Sequence, residues 1–92
     1  MKTTKTQFIV GRLYRPASSG KRVAVVYLGE QTDIFKLGAE KEFIHDPDHV
    51  LLLKVGHFFQ VHDTIVYDLF VLTPNGNVGW ARAYPDEWVQ TL

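Results

Sequence analysis

The sequence predicts one all-β domain, a small barrel of five to six antiparallel strands with an inserted segment around residues 30–49. Three observations carry that expectation. Short runs rich in Val, Ile, Tyr and Phe recur along the chain, punctuated by Gly, Pro, Asn and Asp. The clearest run, Ile65 to Thr73, leads into Pro74-Asn75-Gly76-Asn77, a strong hairpin signal because Asn and Gly tolerate the positive φ such turns need. Finally, 92 residues suit a single domain and leave no room for two.

Residues 1–7 are polar and read as a flexible N-terminus. Phe8 to Tyr14 reads as a first strand, with Gly11 marking a bulge or a close approach. Pro16-Ala17-Ser18-Ser19-Gly20 is a loop by composition. Arg22 to Gly29 has the valine content and length of a strand. Within 30–49 the patterning is weakest. Thr32 to Leu37 fits a short strand, and Ala39 to Phe43 has helix formers but is too short to stand alone as a helix. Asp46-Pro47-Asp48 is a turn or a helix start. Periodicity fits Val50 to Val55 to a helix or a buried strand. The strand is favoured because Phe58, Phe59 and Val61 continue it past a kink at Gly56. Val61-His62-Asp63-Thr64 reads as a tight turn and Val78 to Arg82 as the strand returning from the hairpin. Tyr84-Pro85-Asp86-Glu87 has the length of one 3₁₀ turn, and Trp88 to Leu92 closes the chain as a last strand.

Charge and composition narrow the function. Ten Lys and Arg balance ten Asp and Glu, a net charge of zero that argues against a bulk electrostatic nucleic-acid binder. The same balance favours a protein assembled with itself or a partner. The absence of cysteine excludes disulfides, thiolate zinc sites and thiol catalysis, and fits a cytoplasmic protein or a virion assembled in a cytoplasm. No apolar stretch approaches the roughly 20 residues of a membrane helix, so a soluble protein without a membrane partner is expected.

Little in the sequence points to catalysis. His45, His49, His57 and His62 lie near Asp46, Asp48 and Asp63, but the spacing matches no helical metal motif and suits solvated turns. Ser18 and Ser19 lack a nucleophile elbow. Glu40, Glu42, Asp86 and Glu87 read as solvated faces. Glycines occur singly, never as a phosphate-cradling loop. No catalytic residue, metal or cofactor is therefore expected, and no enzyme. Arg12, Arg15, Lys21 and Arg22, close to Tyr14, form a candidate nucleic-acid-binding cluster, since rings stack bases while cations hold phosphates. The zero net charge and the acidic stretch 40–48 weigh against it.

Two strands fail to alternate. Val23, Val25 and Tyr27 face opposite to Ala24, Val26 and Leu28, and both sets are apolar. Ile65, Tyr67, Leu69 and Val71 likewise face opposite to Val66, Asp68, Phe70 and Leu72. One small interior cannot hide both faces. Val26, Leu28, Val66 and Phe70 are therefore candidate interface residues, to be covered by the insert, by a second copy or by another protein.

From Ile65 onward the order is long strand, Asn-Gly hairpin, Gly79-Trp80-Ala81, the turn Tyr84 to Glu87, then Trp88-Val89-Gln90. This resembles the distal hairpin, fourth strand, 3₁₀ turn and final strand of Src-homology-3-like (SH3-like) barrels. Gly11-Arg12-Leu13-Tyr14 stands where their first strand enters a long first loop. The phrase from Leu72 to Ala81 also resembles small SH3-like proteins of tailed bacteriophages, T-even-like and cyanobacterial ones among them. The chain departs from the peptide-binding members. Its first loop is basic (Arg15, Lys21, Arg22), Ile65 to Thr73 has no Trp, and Pro85 follows Tyr84. A proline-rich ligand is thus not implied. The resemblance implies a recognition barrel: a non-enzymatic protein-interaction or assembly module, binding a host or virion protein if phage-encoded. Tyr14, Trp80, Tyr84 and Trp88 are the candidate protein-binding surface, because Tyr and Trp are favoured anchors. In the competing reading, Trp80 and Trp88 complete the core. The alternatives in function are a small nucleic-acid-binding barrel and a homo-oligomeric structural component.

Overall fold

The computed structural model describes residues 7–17, 23–29, 38–45, 48–85 and 87–91. Among these residues there are seven strands: β1 (Leu13–Pro16), β2 (Val23–Leu28), β3 (Lys41–His45), β4 (Val50–Val61), β5 (Thr64–Leu72), β6 (Val78–Ala83) and β7 (Trp88–Thr91). They form one antiparallel sheet in the order β3-β2-β6-β5-β4-β1-β7, curled into a half-barrel. The all-β class is as the sequence predicts.

The strand beyond the expected six is β3, whose residues read locally as helix formers. Its partner decides its conformation. β2 has an open edge, and Lys41 to His45 pair with it from Tyr27 back to Val23, satisfying its main-chain groups. Ile44 turns inward and is buried, while Phe43 stays exposed. The described part of the insert therefore widens the sheet instead of covering a face. Thr32 to Leu37, read as a short strand, and the turn residues Asp46 and Pro47 lie outside the described residues.

The first strand begins later than the sequence suggests. Gly11 takes a φ of 89° and the Arg12 N–H donates to Ile9 C=O (3.3 Å), so the chain turns before Leu13. Phe8 leaves the sheet and packs its ring 5.4 Å from Tyr14 and 5.4 Å from Tyr67.

The two hairpins obey their turn chemistry. In β5–β6 the Gly76 N–H donates to Thr73 C=O (3.0 Å) and Thr73 N–H to Asn77 C=O (2.7 Å). Pro74 takes a leading place in the turn, and Gly76 supplies the one left-handed residue, with φ 84°. The β4–β5 turn is tighter: Val61 pairs with Thr64, and His62 takes φ 54°.

The interior is built from Tyr14, Val26, Ile44, Val50, Leu52, Leu69, Val71, Ala81, Ala83 and Trp88. A second apolar layer lies on the outer face. Trp80 and Phe70 pack at 5.0 Å, and the Arg82 guanidinium sits 4.7 Å over the Phe59 ring. Asp68 is buried in the same layer, 3.6 Å from Arg82. The apolar pattern on both faces of β5 thus has an internal explanation. Leu69 and Val71 fill the interior, and Phe59, Trp80 and Arg82 from β4 and β6 cover part of the other face, around Asp68 and Phe70.

Candidate functional site

The structure places most of the residues singled out as contact surfaces within its own packing. Tyr14 is fully buried. Its hydroxyl accepts from Ile9 N–H (2.6 Å) and donates to Gln7 C=O (2.7 Å), so it anchors the segment before β1. Trp88 belongs to the interior, and Trp80, 9% exposed, belongs to the outer layer. These three rings are packing elements. Aromatic size alone does not distinguish a core ring from a binding ring.

Val26 and Val66 are fully buried, Leu28 packs half-buried against the interior and Phe70 half-buried against Trp80. Two of the four are closed off and two keep partial exposure. Of the basic cluster, Arg12 is exposed beside the β4 edge, where its carbonyl accepts from Leu52 N–H (3.0 Å). Arg15 is half-buried on β1 opposite Val89. Lys21 and Arg22 lie outside the described residues, so the cluster is not assembled among those described.

What remains is Tyr84, and its surroundings form the candidate site. β2 pairs with β3 along Val23 to Tyr27, but with β6 only at Tyr27 and Leu28. β6 meanwhile pairs with β5 all the way from Val78 to Ala83. Beyond Tyr27 the registers of β2 and β6 therefore cease to meet. A cavity of about 260 Å³ lies in that opening. Val23, Ala24, Val25 and Tyr27 line it from β2, and Pro16 and Trp88 line it from β1 and β7. Arg82, Tyr84 and Glu87 form the opposite rim. The rim is held by main-chain bonds: Glu87 N–H donates to Tyr84 C=O (2.9 Å), and Ala17 N–H donates to Glu87 C=O (2.8 Å). Two of the four predicted rings, Tyr84 and Trp88, thus meet at one place.

The sequence pattern did not reveal two further features. The cross-strand pairs Leu13 with Leu51, Leu51 with Leu72 and Leu72 with Val78 align four aliphatic side chains in one row. Its two ends are open, with Leu13 39% and Val78 46% exposed. Each residue looks ordinary within its own strand, and only the register joins them. Glu42, read as solvated, accepts from the Thr73 hydroxyl (2.7 Å), the Asn77 amide (2.9 Å) and the Asn75 amide (3.0 Å). It clasps β3 to the tip of the β5–β6 hairpin.

Among the described residues, no three His, Asp or Glu side chains are grouped to hold a metal ion, and no helix is long and apolar enough to cross a membrane. Set against known proteins, the chain matches no family model, no curated protein and no solved structure.

Proposed function

We propose that this chain is a non-enzymatic protein-interaction module that seats an extended segment of a partner protein in the cleft between β2 and β6. The observation that carries the reading is the early end of the β2–β6 register with a cavity lying in the gap. Two further properties support it. At about 260 Å³ the cavity is smaller than the roughly 300–1,000 Å³ usual for small-molecule sites, and it suits peptide side chains. Its walls are mainly aliphatic and aromatic, and among the described residues the charged ones lining it are Arg82 and Glu87. Tyr84 offers the type of ring favoured as an anchor.

Selection from a displayed library of random heptapeptides tests the reading. Enriched peptides are expected to bind the chain and to weaken about tenfold with Val23→Lys or Tyr84→Ser, equivalent to one lost anchor contact. Thermal melts of both variants check that the fold stands. Failure to enrich any peptide, or binders indifferent to both substitutions, would refute the cleft as the site.

The aliphatic row supports a second reading, self-assembly through the outer face, since open apolar patches on soluble chains mark contact sites. Light scattering is then expected to give a mass above the 10.5 kDa of one chain, returning to it with Leu72→Glu. A monomer at all concentrations rejects that reading.

A further inference from the structure

The cleft also offers main-chain groups, and these point to how a partner segment is held. Along a strand, the N–H and C=O groups of successive residues turn to opposite neighbours. Leu28 N–H donates to Glu40 C=O (2.9 Å), on the β3 side. Counting back, Val26 and Ala24 also turn toward β3, while Tyr27, Val25 and Val23 turn toward β6. Tyr27 meets Trp80 there. Val25 and Val23 come next, where the β6 register has ended. Their donors and acceptors face the opening, two residues apart, as an added antiparallel strand would meet them.

Resting on the cleft reading above, we propose that the partner segment enters as an added β-strand, pairing its main chain with Val23 and Val25. One uncharged apolar side chain seats against Trp88 and Tyr84. A charge placed there would lose its hydration beside apolar walls. The occupant is a single extended stretch of another protein. Val23 and Val25 pair with β3 on one side and, among the described residues, with no strand on the other, which leaves a place in the ladder for one extended chain. A proline-rich segment fits poorly, because proline has no N–H to give to a valine carbonyl.

The test uses a heptapeptide from the selection, acetylated and amidated, and two derivatives N-methylated at alternate residues in opposite phase. The Val23 and Val25 amides of the full chain are expected to exchange about tenfold more slowly when the peptide is bound. One methylation phase is expected to weaken binding about tenfold through lost main-chain bonds, and the other to leave it unchanged. A peptide that binds in the cleft, as shown by loss with Val23→Lys, yet is indifferent to both methylations overturns strand addition and leaves the cleft reading standing. Equal damage from both phases, or selection of proline-rich peptides, overturns it too. Protection of the same amides in a peptide-free dimer would assign the cleft to a second copy and overturn the choice of occupant. No selected peptide at all removes both proposals together.

Discussion

Gly56 has no side chain, and Trp80 occupies the space one would fill. A Cβ built at position 56 falls 2.6 Å from the indole and 3.2 Å from the Asp68 carbonyl. The ring is locked between Phe70 and the strand beneath it, so it has little room to give. Gly56→Ala is expected to cost about 1–3 kcal/mol, the range for overpacking a filled site, read as a lower urea midpoint at unchanged slope. Tyr14 poses the complementary case, a buried ring whose polar tip is fully used. Tyr14→Phe keeps the packing and strands the Ile9 N–H and Gln7 C=O. The expected loss is about 1–2 kcal/mol, with faster amide exchange at Ile9. Neither role is legible in the sequence. A glycine in a strand pattern signals a bulge or a close approach, but only the register shows which ring approaches.

At the scale of elements, the hairpins were legible and the edges were not. Pro74 to Asn77 carries its turn type in its residues, and β5 carries its strand in its β-branched and aromatic content. β3 carries neither. Lys41 to His45 is extended because β2 needs a neighbour and because Glu42 is held by Thr73, Asn75 and Asn77. These partners lie more than thirty positions away in sequence, beyond any local pattern. Glu42→Ala removes the common acceptor of three bonds at a partly exposed site. An expected cost of about 1–2 kcal/mol follows, with exchange quickening at the β3 amides and at Asn77 before the rest of the sheet. Uniform quickening across the chain would show that the clasp belongs to the global fold and not to this edge.

For the molecule as a whole, fold class was readable because alternation, turn residues and length agree. The site was not. The cleft exists because β2 follows β3 for five residues and β6 for two, a mismatch of registers that no single segment records. The doubled apolar pattern was visible in sequence, and its cause was not. The covering side chains, Phe59, Trp80 and Arg82, come from strands that flank β5 in space and cover part of its outer face.

The two indoles thereby report on opposite sides of the same wall. Trp88 looks into the concave interior and borders the cleft, while Trp80 lies on the convex layer over Gly56. Emission from a Trp80→Phe chain is expected to shift when a peptide fills the cleft, and emission from a Trp88→Phe chain to stay constant until the protein melts. Light from the first variant would then count ligand, and light from the second would count folded molecules.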